Sequence, residues 1–341
     1  MAAPAVRPLR HATNIAEQYS INVLRRSPRT ARLCLRECRT RQRARTWHNT
    51  ISQRCRRYHS STTAADTRTG SPSSVSASEV THFSRLASSW WDPHGPSRLL
   101  HLMNPLRHDF IRSCLERPSP DTFDTYTSES DVENDNEKEK RHYSYLDVGC
   151  GGGIFASSAA RLPTTSHVTA IDPTESVIQV AREHQRCDPL LSSPGKLSYL
   201  NCAIEDLPLS PTHGSKYDIL TVFEVLEHID TPSSFLSTAT THLRPGGWLV
   251  GSTISRSPIA YLTTKLIAEA PLIGVVPRGT HDFSKYINPG ELRDYFESGN
   301  AGGRWGEFVT RGVVYVPGLG WRFVRGSEEF GNYFFGVQKL E

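Results

Sequence analysis

The chain has 341 residues, 37% of them hydrophobic and 22% charged, with a formal net charge of +4. Residues 1–60 hold fourteen arginines, no lysine and only Glu17 and Glu37, so residues 61–341 carry 25 basic against 33 acidic side chains; that net −8 argues against a nucleic-acid surface. Seven cysteines without a C-x-x-C pair imply neither a disulfide framework nor a zinc knuckle, and no run of about eighteen apolar residues exists to span a bilayer.

In chain order, residues 1–60 have the arginine-rich, acid-poor composition of a mitochondrial transit peptide, expected to be disordered, with Arg56-Arg57-Tyr58 as a processing point. The alternative is a basic tail that binds RNA or lipid. Residues 61–80, rich in Ser, Thr and Ala, read as a linker. The folded domain is expected over 81–341, starting near His82-Phe83-Ser84-Arg85-Leu86 and running into Trp90-Trp91-Asp92-Pro93. Over Arg98–Leu115, Leu99, Leu102, Leu106, Phe110 and Ile111 fall on one helix face, and Pro105 predicts an interruption. Arg107 on this segment is either a surface charge or a guanidinium that reaches a ligand carboxylate, a pairing its forked geometry favours. Residues 118–141 are acidic and poor in apolar side chains, which predicts a disordered surface insertion.

From Tyr143 the pattern alternates. A strand to Val148 leads into a helix over 154–162, a strand over 168–171, a helix over 175–184 and a strand over 197–203. A strand over 217–223, a helix over 232–242, and a Pro245-Gly246-Gly247 turn into a strand over 248–252 follow. Such alternation predicts an α/β domain whose mostly parallel sheet has helices on both faces and binds its ligand at the carboxyl ends of the strands. Ile259–Val276, inside a lid or membrane-facing segment over 255–288, reads either as a buried cap helix or as an amphipathic surface lying on a membrane. A helix over 289–296 follows. Two alternating stretches, 307–315 and 332–339, then predict an antiparallel edge hairpin, with 318–326 as a long loop; the strands total seven.

The turn after the first strand reads Asp147-Val148-Gly149-Cys150-Gly151-Gly152-Gly153. Position 154, where a dinucleotide fingerprint would place its third glycine, is Ile154. Gly149, Gly151 and Gly153 let backbone N–H groups approach a ligand. Asp147 at the strand end would repel a pyrophosphate and suits a cationic amine. Asp172, ending the next strand, is placed to accept hydrogen bonds from ribose hydroxyls. Together these point to S-adenosylmethionine and away from a nicotinamide cofactor. Ile204 and Glu205, after the third strand, are either adenine contacts or an ordinary strand-ending loop.

With these residues assembled, the chain resembles the class I S-adenosylmethionine-dependent methyltransferases, a Rossmann-like fold, and within them the ubiquinone-biosynthesis O-methyltransferases of mitochondria and bacteria. The likeness runs from about Phe83 to Lys339. It is carried by Phe83–Ala87 with Trp90–Pro93, Gly95-Pro96, Asn104–Arg107, Leu146–Gly153, Glu224–His228 and Gly279–Phe283. The resemblance implies cofactor contacts at Arg107, Gly149, Asp172 and Phe223, and a divalent metal, Mg²⁺, at Glu224, Glu227 and His228. It further implies a polyprenylated catechol as acceptor, other coenzyme Q biosynthesis proteins as partners, and a peripheral place on the matrix side of the mitochondrial inner membrane.

The chemistry is attack of a phenolic oxygen on the sulfonium methyl, for which the enzyme aligns the oxygen and promotes its ionisation. Glu224, Glu227 and His228 stand at i, i+3 and i+4, so on a helical turn they share a face; a metal held there would act as Lewis acid. The competing reading takes His228 as general base. His281-Asp282 is a second His–acid pair, either catalytic or anchoring a lid. Two alternatives stay open: a methyltransferase acting on another phenol or small acid, and a cofactor-binding scaffold without activity.

Overall fold

The computed structural model describes residues 74–117, 141–209, 216–262 and 282–341. The expected transit peptide, most of the linker, the insertion up to residue 140, residues 263–281 of the lid segment and with them His281 lie outside the described residues. The first described helix, α1, covers Ala77–Leu86 and so begins inside the stretch assigned by composition to the linker. It packs through Phe83 and Leu86 against a small apolar cluster of Ala87, Trp90, Ile154 and Val177. Burying that face holds a polar-looking segment in helical form. Helix α2, Arg98–Leu115, continues straight through Pro105. Proline costs a helix about 3 kcal/mol, and burial of Met103, Phe110, Ile111 and Cys114 on the same helix offsets it.

The remaining elements are β1 (Tyr143–Val148), α3 (Ile154–Arg161), β2 (Thr165–Asp172), α4 (Glu175–Arg186), β3 (Leu197–Asn201), β4 (Tyr217–Phe223), α5 (Pro232–Thr240) and β5 (Leu243–Ile254). Then follow α6 (Pro258–Tyr261), α7 (Pro289–Glu297), β6 (Val309–Val316), β7 (Gly320–Phe323) and β8 (Asn332–Gln338). They form one sheet in the order β3-β2-β1-β4-β5-β8-β6-β7. The first five strands pair in parallel, and β8, β6 and β7 are antiparallel additions. The parallel strands are buried on both faces, and for that reason β1 and β4 are mainly apolar, apart from Ser144 and Asp147 in β1 and Asp218 and Thr221 in β4.

Besides the earlier start at Ala77 and the unbroken helix at Pro105, two further expectations need correcting. The sheet has eight strands rather than seven, because part of the expected loop 318–326 forms β7, paired with β6 from Val313↔Phe323 to Val316↔Gly320. The Pro245-Gly246-Gly247 turn is also no strand boundary. It is an irregularity within β5, where the register with β4 jumps from Tyr217↔Leu243 to Ile219↔Trp248, and the Gly246 N–H donates to the Lys339 carbonyl at 2.7 Å. Strand order reverses between β1 and β4, and their carboxyl ends, Val148 and Phe223, open onto the same cavity.

Candidate active site

That cavity has a volume of about 640 Å³, in the range of small-molecule sites. Every sequence-predicted site residue in the described range lines it, apart from Gly153 and Glu205. Gly153 instead caps the start of α3, and Glu205 accepts a 3.3 Å hydrogen bond from the Ser74 N–H.

The glycine turn is left-handed at Gly149, Gly151 and Gly153, with φ of 71°, 51° and 83°. Its missing side chains serve packing as well as ligand approach. A Cβ on Gly151 or Gly152 would strike the Trp90 indole, one on Gly149 the Val225 side chain, and one on Gly153 the Tyr199 hydroxyl. Trp91 clamps the same turn: its Nε1 donates to the Gly152 carbonyl at 2.9 Å while its ring stacks on His184, centroids 3.4 Å apart. The Trp-Trp pair thus holds the turn from outside, a role that motif spacing did not reveal.

Two carboxylates flank the turn. Asp147 accepts a 2.7 Å hydrogen bond from Thr221 on Oδ1, but its Oδ2 is buried without a partner. Burial pushes its pKa up to about 7 against the opposing effects of Thr221 and Arg107. Asp172 accepts from the N–H groups of Gly151 at 3.0 Å and Thr174 at 2.8 Å, fixing the turn to the end of β2. Burial raises its pKa too, the two N–H donors working against the rise.

Arg107 is not a surface charge. It is 4% exposed, its Nε lacks a hydrogen-bond partner, and its guanidinium lies 4.9 Å from the centroid of the Phe223 ring. Burial lowers its pKa, while Glu224, Asp147 and Glu227 favour its charge. A buried guanidinium with an idle donor and a buried carboxylate with an idle acceptor share one cavity. Such orphaned groups are what a zwitterionic amino-acid moiety would satisfy.

Glu224, Glu227 and His228 all line the cavity, but not from the regular helical turn expected of them. The turn that was to align them is a short 3₁₀ segment beginning at Leu226, and Glu224 stands before it at φ 55°, the single non-glycine residue with positive φ among the described residues. Each side chain has a protein partner, though the His228 contact uses Nδ1 and leaves Nε2 open. Glu224 accepts from Ser252 at 2.6 Å and Asn332 at 3.3 Å. Glu227 accepts from Thr253 at 2.8 Å, and burial together with the neighbouring Glu224 charge pushes its pKa up. His228 Nδ1 pairs with Glu79 at 3.0 Å. Among the described residues no group of three or more His, Cys, Asp or Glu side chains is arranged to hold a metal ion. The arrangement of these residues as it stands gives the expected magnesium site no support.

The unforeseen residue is Glu79, brought from α1 to His228. Burial disfavours the imidazolium, yet the hydrogen bond to Glu79 and the charges of Glu227, Glu79 and Glu224 outweigh it and raise the His228 pKa. The Phe83 ring meets the imidazole edge-on, centroids 5.0 Å apart.

A methyltransferase-domain family model matches residues 122–300. With this strand order and a cavity at the carboxyl ends of β1 and β4, the fold and site define a class I S-adenosylmethionine-dependent methyltransferase. The mitochondrial ubiquinone biosynthesis O-methyltransferase of Candida albicans is 39% identical over 290 residues, covering 79% of this chain and 86% of its own. That of Saccharomyces cerevisiae is 37% identical over 287 residues, covering 78% and 88%. The chain belongs to the ubiquinone biosynthesis O-methyltransferase family. Among solved structures, the plantazolicin methyltransferase in complex with SAH is 15% identical with a TM-score of 0.47, covering 77% of this chain and 97% of that one.

Proposed function

We propose that the protein transfers a methyl group from S-adenosylmethionine to a catechol hydroxyl of polyprenyl-dihydroxybenzoate and of demethylubiquinol, in ubiquinone synthesis. The observation that carries this reading is the pairing, in one cavity, of the idle Asp147 Oδ2 and Arg107 Nε with a His228–Glu79 dyad. When bound, the cofactor supplies the activated methyl. Asp147 would accept from its amine, Arg107 would donate to its carboxylate and Asp172 would take the ribose hydroxyls. Ile204 and Phe223 would provide apolar contact, and the side-chain-free Gly149–Gly151 backbone would let the cofactor approach.

His228 takes the phenolic proton. With Nδ1–H donating to Glu79, Nε2 carries the lone pair, and Glu79 steadies the imidazolium as it forms. The acceptor oxygen then bonds to the methyl carbon as the C–S bond breaks, leaving a neutral thioether. A base in this position contributes about 10²–10⁴-fold in rate. No step is assigned to a metal. Mg²⁺ at Glu224, Glu227 and His228 is the competing reading; it would use the same Nε2 lone pair, with the Nδ1–Glu79 bond kept behind it.

Transfer from labelled cofactor to a prenylated catechol tests the proposal, run with metal-stripped enzyme and with added divalent ions. Turnover that survives stripping and disappears in His228→Ala supports the base. Turnover abolished by stripping and restored by Mg²⁺ supports the metal. Absence of transfer under every condition removes the proposal.

The mitochondrial names of the fungal relatives and the arginine-rich residues 1–60 support a mitochondrial location. Among the described residues no helix is long and apolar enough to cross a membrane. Peripheral attachment to the matrix face of the inner membrane, beside other coenzyme Q biosynthesis proteins, is supported by the apolar acceptor and by exposed Ile259, Tyr261 and Leu262.

A further inference from the structure

The cavity has two chemically different ends. Around the glycine turn its wall carries charge, from Asp147, Asp172 and Arg107. At the other end the wall is built by Leu99 and Met103 of α2 and by Val313, Tyr315 and Trp321 of the β6–β7 hairpin. No charged side chain from residues 313–332 lines it. The Trp321 Nε1 donates to the Leu99 carbonyl at 3.0 Å, which pins hairpin to helix and occupies the indole's polar atom, and the Tyr315 ring stands 5.4 Å away. The apolar surface continues outward at Val314 and Phe330, which line the cavity yet are 39% and 51% exposed. The polar groups on this stretch are those of Tyr315, Ser327 and Asn332, of which Ser327 already donates to the Val324 carbonyl and Asn332 to Glu224, so the wall carries no countercharge and rejects a charged substituent by desolvation.

We infer that this lobe is the seat of the acceptor's hydrocarbon tail, and that the β6–β7 hairpin sets the preference for tailed over tailless catechols. The inference rests on the proposed methyl transfer to a catechol. With the ring held near His228, a substituent on it has the hairpin end of the same cavity as an uncharged path to solvent. Each buried methylene is worth about fourfold in binding, so a single five-carbon unit gives a preference on the order of a hundredfold after ordering costs.

The test compares kcat/KM for 3,4-dihydroxybenzoate with and without one dimethylallyl group, in the wild type and in Val314→Asp, Phe330→Asp and Leu319→Asp. Leu319, at the hairpin tip and 62% exposed, does not line the cavity. Heat of cofactor binding, retained in all variants, reports folding. The expected result is a strong wild-type preference for the tailed acceptor that falls by about tenfold or more in Val314→Asp and Phe330→Asp but holds in Leu319→Asp. A wild-type ratio near one overturns the inference. So does a large ratio that the two lobe variants leave intact, or one that Leu319→Asp lowers equally. Wild-type enzyme that binds cofactor and methylates neither catechol overturns the underlying function instead.

Discussion

At the scale of single residues, the site is set by groups whose charge is unsettled until a ligand arrives. Asp147, with its pKa pushed up to about 7, is largely protonated at mildly acid pH in the free protein. A cation placed against it favours the carboxylate, so cofactor binding below pH 7 releases a proton and tightens as pH rises towards 7. Calorimetry at pH 6 in buffers of different ionisation heat should show this release in the wild type and lose it in Asp147→Asn. The sign for stability is opposite to that of a salt-bridged acid. A folded pKa above the unfolded value means the free fold loses stability as pH rises from about 4 through about 7. Arg107 carries the complementary tension, a buried charge with an idle Nε. Arg107→Met takes away the cation that faces Asp147, Glu224 and Glu227 and leaves those carboxylates buried without it, so the apo protein should lose up to about 3–5 kcal/mol at neutral pH while cofactor binding collapses. Thermal melts with and without S-adenosylhomocysteine check both halves, and an apo melting point that stays at the wild-type value would show that the three carboxylates do not need the guanidinium.

Secondary elements decide which of these groups meet, and here legibility in the sequence divides by distance along the chain. The run from β1 through the glycine turn to α3, with Asp172 ending β2, was readable because strand, turn and helix are consecutive and the chemistry sits on the turn itself. Glu79 was not readable: its partner His228 lies 149 positions away, and nothing in the spacing of α1 marks one acid over another. The Glu224–His228 run departs from the helical turn its spacing suggests, for a physical reason. Regular helical spacing presumes helical φ, whereas Ser252 and Asn332, from β5 and β8, hold Glu224 in the left-handed region. Strand β7 was hidden by its four-residue length and the glycines at 318, 320 and 326, which read as loop until β6 supplies the partner. The α1 contact yields its own prediction. Glu79→Gln removes a charge that raises the His228 pKa, so the acid limb of the kcat–pH profile should move to lower pH while plateau kcat falls. Glu79→Asp should restore part of both. A profile that keeps its wild-type limb in Glu79→Gln would remove His228 as the titrating base.

Over the whole molecule, one cavity is walled by segments far apart in sequence: α1 and the Trp90 loop from the amino-terminal side, the turns after β1 and β4, and the β6–β7 hairpin near the carboxyl end. Ligands that bind the folded state alone stabilise it by mass action, about 2.7 kcal/mol at a hundredfold excess over Kd. That stabilisation need not be spread evenly, because local opening depends on which contacts a ligand adds. S-adenosylhomocysteine should slow amide exchange at Gly149–Gly153, around Asp172 and in the 3₁₀ turn of Leu226–His228, where the charged end of the cavity lies. The Trp90–Gly152 packing and the Glu79–His228 bond tie α1 to that end, so α1 should gain protection with it. The hairpin should stay at its apo rate until a tailed catechol is added, and then slow across Val313–Phe323 while the glycine turn changes little further. Exchange measured by mass spectrometry on the apo, cofactor-product and ternary states resolves the two steps. Hairpin protection appearing in full with S-adenosylhomocysteine alone would mean that the two ends of the cavity open and close as one unit, and the division of labour between them would not hold.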